Sequence, residues 1–259
     1  MADQKIRQYA DMLYGAERSR AAIEPFTDSD ATLTPDDAYA IQLCNVERVQ
    51  QEGHVISGKK IGLTSPGIQR QMGVGEPDYG HLFAAMECAD GNVPIDQLMQ
   101  AKIEAEIAFV LKADLSGGHV TAEDVRAATD YVVAAFEIVD SRIADWRIKL
   151  IDTVADNASS GRYVLGTARR SLDGLDLSAV TMRMTRNGEP VQEGTGAAVL
   201  GNPCNAVAWL ANRMWRYGVA LQKGEVILSG AFAAAPPAQK GDAFSAVFEG
   251  LGEVRAVFV

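Results

Sequence analysis

The segment from Lys102 to Leu111 alternates so strictly between two kinds of side chain that it predicts a β-strand. One parity is entirely apolar: Ile103, Ala105, Ile107, Phe109 and Leu111. Since successive side chains of a strand point to opposite faces, Glu104 and Glu106 project from the same face. That face continues with Ala108 and Val110, so we expect both carboxylates to be mostly enclosed.

A third acid has a similar setting, because Glu137 lies within the apolar, strand-like run 131–139. Enclosed carboxylates repel one another and lose hydration, and a cation between them reduces both costs. With no His or Cys nearby in sequence, Glu104, Glu106 and Glu137 describe an oxygen-only site suited to Mg²⁺ or Mn²⁺ rather than Zn²⁺. The alternative is an ordinary solvated strand face, and the pattern alone leaves both interpretations open.

Length and charge limit the classes of function. A chain of 259 residues can bury a substantial core. Its net charge of −10 argues against a nucleic-acid or anionic-membrane partner, although a local metal can still attract a small anionic substrate. Cys44, Cys88 and Cys204 are widely separated and predict no disulfide framework, which fits a cytoplasmic location. The first residues form no long apolar run, so we expect neither a signal peptide nor a membrane span.

The distribution of patterns predicts an α+β protein. Residues 1–57 are expected to form a small α-rich segment with helices around 6–13 and from Thr34 to about Gly53, and residues 58–259 a β-rich catalytic domain. Helices are also predicted at 121–129 and 203–218. The predicted strands are 55–56, 61–63, 103–111, 131–139, 162–166, 179–186, 225–230 and 243–259. Helices and strands do not alternate regularly, which favours a mixed, mostly antiparallel β core with peripheral helices.

Three further segments carry polar groups that fit either a ligand site or a structural role. Lys60, after Lys59 and before a short apolar run, points into a cleft or belongs to a surface pair. Residues 76–80 resemble a turn that contains an acid, and 152–161 resemble a loop rich in small polar groups. Structural or solvated roles are preferred for the isolated His54, His81, His119 and for Cys204.

Taken in order, these segments resemble the hydratases and decarboxylases of aromatic meta-cleavage pathways, within the fumarylacetoacetate-hydrolase-like superfamily. The resemblance covers nearly the whole chain and is strongest from Lys59 onward. It implies the superfamily's mixed β core and assigns Glu104, Glu106 and Glu137 to Mg²⁺ or Mn²⁺. The matching segments are 60–65, 77–80, 103–106, 137–142, 155–159, 200–203, 227–230 and 240–242.

The resemblance also implies an activity. The preferred function is a hydratase that adds water to a 2-hydroxy-2,4-dienoate (2-oxo-4-enoate) and yields a 4-hydroxy-2-oxo acid. The alternatives are a 4-oxalocrotonate decarboxylase and a non-catalytic partner subunit of a hydratase–decarboxylase complex. Lys60 and Asp78 are the implied catalytic residues. The implied substrate contacts are Leu63, Lys102, Ser159 and Ser229.

Two positions bear on the choice between hydratase and decarboxylase. Asp78 favours hydration, because a carboxylate beside the reacting carbons supplies acid–base chemistry but repels the carboxylate that a decarboxylase must expel. Lys102 stands where many hydratases have Arg and resembles the decarboxylase pattern. Its preferred role is a counter-charge to the glutamates, and the alternative is a contact to a second substrate carboxylate. The resemblance further implies a homo-oligomer that associates with the pathway decarboxylase.

Overall fold

The computed structural model describes residues 2–259 of the chain. The helices are α1 (Ala2–Ser19), α2 (Phe26–Ser29), α3 (Pro35–Gln51), α4 (Pro66–Met72), α5 (Ala122–Ala128), α6 (Leu150–Ala155) and α7 (Pro203–Trp215). The strands are β1 (Ile56–Gly62), β2 (Asp78–Phe83), β3 (Asn92–Val93), β4 (Lys102–Leu111), β5 (Thr129–Val139), β6 (Ser160–Leu165), β7 (Thr181–Arg186), β8 (Glu189–Thr195), β9 (Val226–Leu228), β10 (Ala243–Phe248) and β11 (Gly252–Phe258). Among these helices, none combines the length and apolar composition needed to cross a bilayer.

The strands form two sheets. A six-stranded sheet has the order β2-β1-β9-β4-β5-β6, and a five-stranded sheet has the order β3-β11-β10-β7-β8. The pairs β1–β9 and β3–β11 are parallel, whereas the other pairs are antiparallel. The predicted α+β class, with a mixed, mostly antiparallel core and a helical N-terminal segment, is confirmed.

The two longest strands, β4 and β5, pair antiparallel in the six-stranded sheet and give it two different faces. One face packs into the main core, with Phe109 and Phe136 fully buried. The opposite face carries Glu104 and Glu106 and a smaller apolar cluster that includes Ala108. The strand alternation in the sequence therefore separates a face that packs into the core from a face that carries the two carboxylates.

The N-terminal helices pack on each other and against a later helix. Thr34 and Asp37 form a reciprocal capping box at the start of α3, and Pro35 occupies its first turn. Helix α3 contacts both α1 and α6. The predicted division between residues 57 and 58 falls within β1 and stays a prediction.

Several local predictions differ from the structure. Residues 76–80 are not a simple turn, because Asp78 begins the fully buried strand β2. The run 243–259 is two antiparallel strands joined at Gly250, whose φ of +76° favours glycine. The predicted loop 152–161 starts inside α6. Strand β8 was not predicted, because it contains Pro190 and is mostly exposed at a sheet edge, where no apolar alternation is required.

Candidate functional site

Strand pairing brings the three predicted glutamates together. Glu104 of β4 lies directly opposite Glu137 of β5, and Glu106 projects from the same face two residues along. Carboxylate oxygens of the three side chains lie within 4.8 Å of one another. Glu106 and Glu137 are fully buried, so the solvated-face alternative is wrong.

Unpartnered oxygens in this cluster fit a hard cation. Glu106 Oε2 accepts a hydrogen bond from the Gly230 amide at 2.7 Å. Glu106 Oε1 and Glu137 Oε2 are buried and accept no hydrogen bond from residues 2–259. Buried polar atoms normally have partners, and oxygen-only donor sets suit Mg²⁺ and Mn²⁺. Glu104, Glu106 and Glu137 therefore have the chemistry to hold a divalent cation.

The pKa values of these acids show the electrostatic cost of the cluster. Burial raises the pKa of Glu106 well above its ordinary value, and the neighbouring Glu137 and Glu104 raise it further. Burial also raises the pKa of Glu137 to about 7, although Lys60 opposes that shift. A bound divalent cation would offset the same repulsion and allow all three groups to ionise.

Lys60 lies on β1 and reaches this cluster. Its Nζ lies 3.1 Å from Glu137 Oε1 and donates a hydrogen bond to the Ala158 carbonyl at 2.9 Å. Burial alone would lower the pKa of Lys60, but the surrounding carboxylates raise it above its ordinary value. Lys59 is also buried and pairs with Glu225 at 2.7 Å, so the surface-pair alternative is wrong.

Asp78 stands beside Lys60 at the start of β2. It pairs in register with Gly62, whose missing side chain leaves room for it. A Cβ at Gly62 would lie 2.3 Å from Asp78 Oδ1 and 3.5 Å from Lys60 Nζ. Burial raises the pKa of Asp78, with Lys60 acting in the opposite direction. The two predicted catalytic residues thus converge on one glycine.

The predicted substrate contacts near Ser159 and Ser229 are both buried. Ser159 Oγ lies 3.2 Å from Thr153 Oγ. Ser229 Oγ donates to the Ile107 carbonyl at 2.8 Å, which commits its hydroxyl proton to the sheet. The structure thus places the Ser229 backbone, next to the Gly230 amide that binds Glu106, at the glutamate cluster.

Leu63, another predicted substrate contact, follows directly after β1. Its φ is +57°, an unfavourable value for a branched residue. Its carbonyl accepts a hydrogen bond from Gln69 Nε2 at 2.8 Å, which ties the turn to α4. Strained backbone of this kind occurs where the surrounding structure imposes it, often at functional sites.

Lys102 shares the glutamate face, as strand parity predicts, but its ammonium contacts an aromatic ring. Lys102 Nζ lies 4.0 Å from the centroid of the Trp146 ring. Burial lowers the pKa of Lys102, while the charge of Glu104 acts in the opposite direction. No ion pair within 4.0 Å joins Lys102 to Glu104, which leaves the preferred counter-charge role without a direct contact.

Two residues that support the site are not predicted from the sequence. Gln42 of α3 donates to the carbonyls of Tyr79 and Val154 and meets His81 Nδ1 at 3.0 Å. Burial lowers the pKa of His81 to about 3, so its ring is neutral and structural, as preferred. The helical pattern could have indicated the role of Gln42, because this residue falls on the apolar stripe of its helix, where a buried polar side chain needs hydrogen-bond partners. The second residue is Asn157, which lies within the matching segment 155–159.

The chain is similar to known proteins over most of its length. The family profile described as fumarylacetoacetate (FAA) hydrolase C-terminal matches residues 81–259. A 2-keto-4-pentenoate hydratase of Paraburkholderia xenovorans is 50% identical over 100% of this chain and 96% of its own length. A 2-hydroxyhexa-2,4-dienoate hydratase of Comamonas testosteroni is 46% identical over 100% of this chain and 99% of its own length.

A solved structure resembles the whole chain. The 4-oxalocrotonate decarboxylase of Pseudomonas putida G7, complexed with magnesium and adipate, is 38% identical, with a TM-score of 0.96 over 100% of this chain and 99% of that one. Full-length identity to the hydratases and agreement with the family profile confirm the predicted resemblance. The chain belongs to the fumarylacetoacetate hydrolase family.

Proposed function

We propose that this protein is a divalent-metal-dependent hydratase that converts a 2-hydroxy-2,4-dienoate into a 4-hydroxy-2-oxo acid in an aromatic meta-cleavage pathway. The observation that carries the proposal is the convergence of a three-carboxylate cluster, a buried lysine and a buried aspartic acid. Full-length relatives at 46–50% identity are hydratases of such dienoates, which supports the hydro-lyase activity.

The residues that would hold the cation are Glu104, Glu106 and Glu137. When bound, a divalent cation would supply positive charge beside the carboxylate and C2 oxygen of the substrate, where negative charge develops. The related decarboxylase has been crystallised with magnesium and with calcium, which supports a divalent ion. We propose Mg²⁺ or Mn²⁺, since both prefer oxygen donors.

Lys60 is placed to act on the enol oxygen of the substrate. Its ammonium is held between Glu137 and the Ala158 carbonyl, so its position is defined before substrate enters. A fixed positive charge with a remaining N–H donor favours the charge that develops at C2 as the dienol loses its proton. Lys60 therefore polarises this oxygen throughout the reaction.

Asp78 is placed to move protons. Burial raises its pKa above the ordinary value of an aspartic acid, and this direction favours general acid–base chemistry. The C2 hydroxyl loses a proton and the far end of the diene, C5 in the five-carbon substrate, gains one, which gives an α,β-unsaturated 2-oxo acid. Water then adds its oxygen at C4 while C3 gains a proton, and Asp78 orients or deprotonates that water.

The decarboxylase remains the second candidate because of the close structural neighbour and Lys102. Asp78 argues against it, since a buried carboxylate at this point would repel a substrate carboxylate that must be expelled without its hydration. We also propose a homo-oligomer that associates with the pathway decarboxylase. The non-catalytic subunit is disfavoured, because the carboxylate cluster, Lys60 and Asp78 are all present.

The proposal is tested by identifying products. Purified protein with Mg²⁺ is offered 2-hydroxypenta-2,4-dienoate and 4-oxalocrotonate in separate reactions followed by NMR. We expect a 4-hydroxy-2-oxo acid from the first and no faster release of CO₂ from the second. Faster CO₂ release from 4-oxalocrotonate would establish the decarboxylase.

A further inference from the structure

The turn Asn157–Ser159 is built from three successive residues in the left-handed backbone region. Their φ values are +52°, +50° and +54°, and none of the three is glycine. Each such residue costs free energy because its Cβ crowds the backbone. A run of three persists only where surrounding contacts impose it.

Those contacts are made by the Asn157 side chain on the outer edge of the six-stranded sheet. Strand β2 is the last strand of that sheet, so its outward amides and carbonyls have no strand partner. Asn157 Oδ1 accepts from the His81 amide at 2.8 Å, and Asn157 Nδ2 donates to the His81 carbonyl at 2.9 Å. One side chain thus replaces the pairing that a neighbouring strand would supply.

The fit between turn and strand leaves no spare room. A Cβ at Gly80 would lie 2.3 Å from the Asn157 carbonyl oxygen. At the other end of the turn, the Ser159 carbonyl accepts the Asp140 amide at 2.8 Å. The turn is therefore fixed against β2 on one side and the end of β5 on the other.

The carbonyl of Ala158, the middle residue of this turn, points toward Lys60. Ala158 O accepts from Lys60 Nζ at 2.9 Å, and Lys60 is opposite Gly80 in the β1–β2 register. We propose that Asn157 is a positioning residue: it clamps the left-handed turn to β2 so that the Ala158 carbonyl holds the Lys60 ammonium in its reactive place. This inference rests on the proposed function of Lys60.

Asn187 provides a matched control within the same chain. It also has a left-handed backbone, with φ +54°, and its Oδ1 accepts the Ala243 amide at 2.9 Å. It lies in the turn between β7 and β8, in the other sheet. Asn187→Ala removes the same kind of side-chain contact without touching Lys60.

Kinetics test the clamp. We expect Asn157→Ala to lower kcat roughly 10- to 100-fold with a much smaller change in KM, because a misplaced group costs rate more than binding. Asn157→Gly, which keeps the left-handed backbone without the side chain, should show the same loss. Asn187→Ala should keep the kcat of the native protein. Native kcat in Asn157→Gly would overturn the proposal.

A double-mutant cycle separates positioning from general damage. If Asn157 acts through Lys60, adding Asn157→Ala to Lys60→Met should cost almost nothing further, since coupled residues are not additive. An equal fold-loss in both backgrounds would contradict the proposal. Residual turnover of Lys60→Met is followed by NMR at high enzyme concentration.

A spectroscopic measurement needs no turnover. In protein labelled with ¹⁵N at the lysine Nζ, the buried Lys60 ammonium should give a slowly exchanging signal in the native chain and in Asn187→Ala. That signal should broaden or shift in Asn157→Ala. An unchanged signal would refute the clamp, whereas a native protein that lacks hydratase activity would refute the proposed function and leave this test valid.

Discussion

Lys60 and Glu137 form an ion pair inside the protein, with Nζ 3.1 Å from Oε1 and side chains only 3% and 1% exposed. Asp78, Glu104 and Glu106 lie close enough to shift the pKa of the same lysine. Four acidic groups around one ammonium leave an excess of negative charge in a buried place. Burial is the main cause of the raised pKa values of the three glutamates, and repulsion among the acidic groups adds to it. The same excess of negative charge fits a divalent cation.

Glu106→Gln should abolish cation binding without unfolding the protein. The cation-free variant should be at least as stable as the cation-free native protein, because one repelling buried charge is removed. Mg²⁺ at a hundred times its Kd should add about 2.7 kcal/mol to the native free energy of unfolding and nothing to the variant's. Urea denaturation with and without Mg²⁺ measures both effects.

Glu193→Gln is the control for that comparison, since Glu193 is 74% exposed on its side chain and lies in the other sheet. It should respond to Mg²⁺ as the native protein does. A Glu106→Gln variant that is stabilised by Mg²⁺ as strongly as native would remove Glu106 from the cation site.

Stability should depend on pH in opposite ways without and with cation. Burial raises the folded-state pKa of Glu137 to about 7, above its unfolded value. A carboxyl group shifted in that direction stabilises the fold below its unfolded pKa, and this contribution is lost as pH rises through about 7. The cation-free protein should therefore lose stability as pH rises from the unfolded pKa of Glu137 to about 7.

Cation affinity should rise over the same interval, because ligation requires ionised carboxylates. Calorimetric titration with Mg²⁺ between acidic and neutral pH measures it, alongside denaturation at each pH. Glu137→Gln should reduce the dependence of the cation-free protein's stability on pH. Affinity that stays constant as pH falls would contradict the assigned ligands.

Asp78→Asn should lower the rate of hydration by about two to four orders of magnitude, the usual contribution of a general acid or base. Binding of oxalate, which mimics the oxo-acid end of the substrate, should survive because that end does not need Asp78. Steady-state kinetics and oxalate inhibition give the two quantities. Normal hydration by this variant would exclude the proposed proton transfer.

Lys102→Met tests whether the ammonium over Trp146 meets the substrate. Because no carboxylate within residues 2–259 forms an ion pair with this ammonium, we expect a loss mainly on dicarboxylic dienoates, whose second carboxylate would pair with it. Removing one partner of a buried charge pair costs about 2–5 kcal/mol, so kcat/KM should fall at least tenfold there. An equal fall on monocarboxylic and dicarboxylic substrates would restore the counter-charge role.

The sequence predicted the parts of the site that follow from local periodicity. Alternation in 102–111 placed Glu104 and Glu106 on one face, and apolar flanks marked Glu137. Their shared position depends on the β4–β5 register, which periodicity does not reveal, so the resemblance to known hydratases was needed to join them.

Other features depend on contacts between distant segments. Asp78 looked like part of a turn because Pro and Gly surround it, yet pairing with β1 makes it the start of a buried strand. The hydrogen bonds of Asn157 reach across 76 residues to His81, and no local pattern reports such a contact. Strand β8 was missed because an exposed edge strand lacks the apolar alternation that marks buried ones.

The need for a divalent cation is tested by measuring the rate of hydration of 2-hydroxypenta-2,4-dienoate before chelation, after exhaustive chelation, and after Mg²⁺ is returned. We expect chelation to abolish formation of the 4-hydroxy-2-oxo acid, and Mg²⁺ or Mn²⁺ to restore it in the native protein but not in Glu106→Gln. Full activity after exhaustive chelation would show that hydration does not need a divalent cation.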